Sequence, residues 1–73
     1  MAKADIRNRV RALREAHGNL TQQQLAERCG CTRQTIIALE QGRYVPSLSL
    51  ALLIARVFGC AVEDVFVLAG PEL

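Results

Sequence analysis

Seventy-three residues, 51% of them hydrophobic but only three aromatic, amount to a single domain spanning 1–73. So short a chain buries only about 60% of its unfolded surface, and its stability is marginal unless a disulfide, a metal or oligomerisation assists. The apolar content excludes disorder, no apolar run approaches the ~20 residues of a membrane span, and no secretory hydrophobic segment opens the chain, so a cytoplasmic protein is expected.

The net charge is only +2, and its distribution says more. Arg7, Arg9, Arg11 and Arg14 crowd the first segment, Arg28, Arg33 and Arg43 bracket the middle, and Glu63, Asp64 and Glu72 close the chain. A basic front half with an acidic, apolar tail suggests one side facing a polyanion and another facing something else. The three cysteines are an odd number for a disulfide framework. Cys29 and Cys31 are too close for a zinc hairpin with Cys60 and His17, so the thiols are expected to act as small hydrophobes, with no metal or other cofactor.

In chain order, Ile6, Val10 and Leu13 form a stripe that predicts a first helix over about 3–17, stopped by Gly18 and Asn19. Thr21, with Gln24 three residues on, reads as a capping box opening a second helix that ends at Gly30. Thr32 caps a third over 33–41, with Ile36 and Leu39 inward and Gly42 as the stop. Tyr44-Val45-Pro46 is an extended connection, because the residue before proline avoids helix. Ser47 caps a fourth helix over 48–58, and a short fifth covers 62–67 with acids in its first turn. Gly70-Pro71 ends the fold. No stretch alternates at period two, so the fold class read here is all-α with five helices.

Two short helices joined by three or four residues around Gly30, about 21–41 overall, must cross steeply, and the second can then enter a groove about 12 Å wide. Its outward residues are Arg33, Gln34, Ile37, Ala38 and Gln41, with no lysine or glutamate among them. Such a face suits base reading: arginine grips guanine, glutamine pairs with adenine, and small apolar groups meet the thymine methyl.

The run TQQQLAERCGCTRQTIIALEQGRYVPSLSLALLIARVFGC resembles the lambda-repressor-like helix-turn-helix family, of the Xre or phage Cro-repressor type, over 6–66. The resemblance implies a five-helix DNA-binding domain in which Arg33 and Gln34 read bases, Gln22 contacts a phosphate and Arg43 grips the backbone. Thr32 and Thr35 are placed for phosphate too, Thr32 being first a cap, and Tyr44 offers its hydroxyl to the backbone. The resemblance also implies an ion pair between Arg14 and Glu40, which an inward-facing acid requires in any case. Arg7, Arg9 and Arg11 are assigned to a solvated face. Cysteines stand where leucine or valine is usual, and Leu53 where a polar residue is common.

An enzyme is excluded by inventory: the lone His17 has no catalytic partner, and there is neither a carboxylate pair beside a nucleophile nor a glycine-rich phosphate loop. The expected function is sequence-specific binding of double-stranded DNA as a small regulator, in the simplest case a repressor, with no small-molecule ligand. The competing reading is an antitoxin or interaction module that acts through a partner protein. Helix 4 is apolar nearly all round. With Leu48, Ala51, Ile54, Ala55 and Phe58 given to the core, Leu50, Leu53 and Val57 remain, joined by Phe66, Val67 and Leu68. These predict a homodimer interface, unless the last helix covers the Leu53 stripe within one chain.

Overall fold

In the computed structural model, which describes residues 5–69, the stretch read as one helix over 3–17 is a strand and a helix, β1 (Asp5–Asn8) and α1 (Val10–Ala16). Ile6 and Val10 are four apart, a spacing that serves a helical stripe but equally a strand whose alternate residues turn inward. Asn8 decides between them. Its Oδ1 accepts the Val10 N–H at 3.2 Å, and its Nδ2 donates to the Leu39 carbonyl at 2.9 Å. A local side-chain bond of the first kind competes with helix continuation.

The other end differs in the same way. The fifth helix, α5, is Val62–Val65, and Phe66–Ala69 form β2, antiparallel to β1 with Ile6 opposite Leu68 and Asn8 opposite Phe66. Among the described residues the fold is therefore five helices plus a two-stranded sheet, not strictly all-α. The run Phe66-Val67-Leu68 suits a strand as well as a helix, and what settles it is pairing with a segment sixty residues away. Gly70 and Pro71, read as the end of the fold, lie outside the described residues, as does Glu72.

Between these ends lie α2 (Gln22–Cys29), α3 (Arg33–Glu40) and α4 (Leu48–Phe58). Each opens on its expected cap. Thr21 Oγ1 accepts the Gln24 N–H at 3.0 Å while Gln24 Oε1 accepts the Thr21 N–H at 2.9 Å; Thr32 and Ser47 accept from Thr35 and Leu50. Gly30, at φ 70°, closes α2 left-handed, and the Cys31 N–H reaches back to the Ala26 carbonyl at 3.0 Å. That closure turns the chain into α3 within three residues. Val10, Leu25, Ile36, Leu39, Ile54 and Val65 are fully buried, one from each helix and two from α3.

Helix α4 buries Leu50, Ala51, Ile54, Ala55 and Phe58. Leu50, expected on a dimer stripe, belongs to the core, whereas Leu48, expected in the core, is 73% exposed. Leu50 and Ile54, one turn apart on one face, both join the core cluster, while Leu48 is the first helical residue and lies off that face. Among the described residues no helix is long and apolar enough to cross a membrane.

The thiols take apolar positions: Cys29 lies in the core, and Cys31 and Cys60 pack against it. Burial, with a smaller contribution from Cys31, pushes the Cys29 thiol up to about 11. Cys31→Val and Cys60→Val should leave fold and thermal midpoint close to wild type, while Cys29 resists alkylation at neutral pH. Because its folded value is raised, the Cys29 contribution is full below the ordinary thiol value and is lost as pH rises toward 11. Urea unfolding at pH 8 and above pH 10 should show this loss in the wild type and less of it in Cys29→Ala. Equal losses in the two proteins would place the thiol in solvent.

Candidate nucleic-acid interface

Helix α3 turns Ile36 and Leu39 inward, and that phase sets everything on its outer side. Gln34, Ile37, Ala38 and Gln41 follow one another at i, i+3, i+4 and i+7, a single row directed away from the core. Gln34 and Gln41 are exposed, and Ile37 and Ala38 half-buried. Arg33 stands at the edge of this row, exposed, in the first turn of the helix. The five expected base-reading residues are thus brought together on one surface.

Arg33 also borders an open cleft of about 760 Å³ where the N-terminal ends of α2 and α3 meet α1. Arg11, Gln22 and Gln23 share its rim, and Arg14 and Glu40 line it. Two of its arginines are paired, Arg11 with Glu15 at 3.5 Å and Arg14 with Glu40 at 2.7 Å. Among the described residues Arg33 has no carboxylate partner, so its guanidinium is available to an anion or a base edge.

The expected pair of Arg14 and Glu40 is present in a fuller form. Arg14 Nε and its second terminal nitrogen donate to the two Glu40 oxygens at 2.7 and 3.2 Å, and the remaining terminal nitrogen donates to the Leu20 carbonyl at 2.8 Å. Their side chains are 12% and 7% exposed. The hydrogen bond and charge of Glu40 hold the Arg14 guanidinium protonated above its ordinary range against the opposing effect of burial.

Gln22 is arranged differently from the expectation of a side chain free for phosphate. Its Nε2 donates to Glu40 Oε1 at 3.1 Å, which ties the start of α2 to the end of α3. What remains for an anion is the second amide hydrogen and the first-turn N–H groups of Gln22 and Gln23, which have no intrahelical acceptor. Thr32 and Thr35 share a hydroxyl–hydroxyl bond at 3.0 Å at the opposite, N-terminal end of α3. Gly42, at φ 75°, reverses the chain after α3, and the Arg43 N–H returns to the Ala38 carbonyl at 2.9 Å. Arg43 and Tyr44 are therefore held beside the end of α3 with exposed side chains.

Two residues outside the expected site bear on it. Asn8 anchors the C-terminal end of α3 through the Leu39 carbonyl, and a cap-forming residue two before Val10 was the available signal for it. Arg11, assigned to a solvated face, is solvated, its side chain 75% exposed, and it borders the same open cleft as Arg33.

Comparison with known proteins agrees with this geometry. The helix-turn-helix family model matches residues 10–65. An uncharacterized HTH-type transcriptional regulator of Methanocaldococcus jannaschii is 48% identical over 67 residues, 92% of this chain and all of the relative. One of Methanothermobacter thermautotrophicus is 58% identical over 64 residues, covering 86% of this chain and 91% of the relative. The uncharacterized HTH-type regulator YgzD of Bacillus subtilis is 49% identical over 61 residues, covering 84% and 91%.

Proposed function

The chain belongs to the helix-turn-helix family of DNA-binding transcriptional regulators, and on that premise we propose that it reads double-stranded DNA with α3 in the major groove, as a repressor. The observation that carries this reading is the outward row Gln34, Ile37, Ala38 and Gln41, flanked by an arginine without a carboxylate partner among the described residues. Donors and small apolar groups in that order match what base edges present, whereas a helix face meant only for water would carry lysine and glutamate. Arg43, Thr32, Thr35, Tyr44 and the α2 N-terminus with Gln22 would fix the register by holding phosphates to either side. Repression is the simplest outcome, since occupying a promoter excludes polymerase without further contacts.

The proposal extends to a homodimer, because one reading helix spans only a few base pairs and two on a two-fold axis reach half-sites ~34–36 Å apart. Apolar surface for it lies on both edges of α4 and on β2. Leu53 and Val57 form one edge, Leu48 and Leu52 the other, and Val67 and Leu68 extend along the strand.

Selection of binding sites from random duplexes tests the reading directly. The expected result is an enriched inverted repeat, bound with an affinity that falls with salt by about −0.9 per phosphate contact on a log–log plot. Failure to retain any duplex at low salt would overturn it.

A further inference from the structure

The strand at the start of the chain changes what Arg7 and Arg9 can do. On the helix expected over 3–17, residues two apart point in different directions, whereas on a strand they line one face. β1 is such a strand, and Arg7 and Arg9 stand exposed on either side of the half-buried Asn8. Val67 lies opposite Arg7 across the sheet, and Asp5, also exposed, is two residues further out. Among the described residues neither arginine has a carboxylate partner, whereas Arg11 and Arg14 both do.

Two hydrogen bonds fix where these charges sit. Asn8 Nδ2 donates to the Leu39 carbonyl and the Arg43 N–H to the Ala38 carbonyl, both at 2.9 Å. Adjacent carbonyls near the end of α3 thus fasten both β1 and the turn that carries Arg43. Arg7, Arg9 and Arg43 are gathered round one end of the helix, all exposed. An eight-residue helix is about 12 Å long, close to the width of the major groove. With its first turn on base edges, its last turn stands where the groove gives way to backbone.

Resting on the reading of α3 as the helix in the major groove, we propose that β1 is a backbone clamp. Arg7 and Arg9 hold neighbouring phosphates of the DNA strand that passes the C-terminal end of α3, beside the phosphate held by Arg43. Spacing supports this partner. At ~3.3 Å per residue the two side chains start about 6.6 Å apart, close to the separation of neighbouring phosphates along one strand. Rigidity supports it as well. Pairing with β2, the Asn8 bond and the Arg9 N–H on the Val65 carbonyl at 2.9 Å hold the backbone in place before DNA arrives. Little ordering of the chain therefore opposes the contact. Neither arginine touches a base in this arrangement, so the clamp adds affinity alike on every sequence.

The test is the double variant Arg7→Gln with Arg9→Gln. Its control, Arg28→Gln with Arg56→Gln, removes the same charge from the exposed last turns of α2 and α4. Titrations on the selected and a scrambled duplex should give the clamp variant a log–log salt slope shallower by about 1.8. A fourfold rise in salt then weakens the wild type about twelvefold more than the variant. The ratio of affinities for the two duplexes should stay as in the wild type, and the control should keep the wild-type slope. Arg7→Lys with Arg9→Lys should restore the slope, which separates lost charge from a damaged strand. Ethylation of single phosphates locates the contact: two neighbouring phosphates in each half-site should interfere with the wild type and not with the glutamine variant. If α3 reads no sequence, the two duplexes bind alike in every protein, yet the slopes still report the clamp. An unchanged slope, an equal change in the control, or interference that persists at the same phosphates would overturn the proposal.

Discussion

Arg33→Ala should weaken binding to the selected duplex by about 1–3 kcal/mol, roughly five- to 150-fold, and relax the preference at one base position in each half-site. The expectation follows from where the guanidinium stands. Arg11 and Arg14 are both occupied by carboxylates, whereas Arg33 is exposed in the first turn of α3 at the edge of the outward row. A bidentate grip on a guanine adds discrimination, and its loss is felt only where that guanine is present. Arg43→Ala supplies the contrast. Held outside the row by the turn at Gly42, Arg43 should contribute phosphate affinity alike on every sequence, and its removal should reduce the salt slope by about one. Competition titrations of both variants against the selected duplex and a scrambled one, at several salt concentrations, separate the two roles. If Arg33→Ala lowers affinity equally on both duplexes and cuts the salt slope, Arg33 holds phosphate and the base-facing row begins at Gln34.

What the sequence makes legible here is what local chemistry determines. Thr21 with Gln24, Thr32 and Ser47 each cap a helix because a side-chain oxygen three residues from a free N–H needs nothing distant to act. The phase of α3 was equally plain, since Ile36 and Leu39 are its only large apolar residues with inward spacing and Ile37 falls off that line. Where the deciding partner is distant in the chain, the reading misled. β1 and β2 exist only because each has the other, and four-residue segments show no period of their own. Helix α4 failed for the opposite reason. Its apolar residues spread well beyond the buried side formed by Leu50, Ala51, Ile54, Ala55 and Phe58, so composition alone does not mark where that side ends, and Leu48 and Leu50 exchanged roles. The bond from Gln22 to Glu40, eighteen residues on, was likewise invisible in the sequence, because only tertiary packing brings the two together.

Glu40→Ala should destabilise the domain by about 3–5 kcal/mol, enough to unfold a chain of this size at ordinary temperature. Glu40 is the last residue of α3, where the helix dipole disfavours an acid, and its side chain is nearly buried. Such a placement is tolerable because three donors surround the carboxylate: two nitrogens of Arg14 and the amide of Gln22. Removing the carboxylate leaves the largely covered Arg14 charge without its partner, with the Leu20 carbonyl as its remaining acceptor. The penalty is therefore one of abandonment, and it should shrink when both partners go: Arg14→Met combined with Glu40→Leu should be far more stable than Glu40→Ala alone. Glu15→Ala breaks the exposed pair with Arg11, whose side chains are 75% and 54% exposed, and solvent screening should leave its effect within about 0.5 kcal/mol. Urea unfolding of the four proteins ranks these costs. The double variant also separates stability from recognition, because Gln22 then lacks its acceptor while the core stays intact. A folded double variant with wild-type DNA affinity would show that the tie from Glu40 to Gln22 serves the fold alone. Equal stability of Glu40→Ala and Glu15→Ala would show that the buried carboxylate contributes no more than the solvated one.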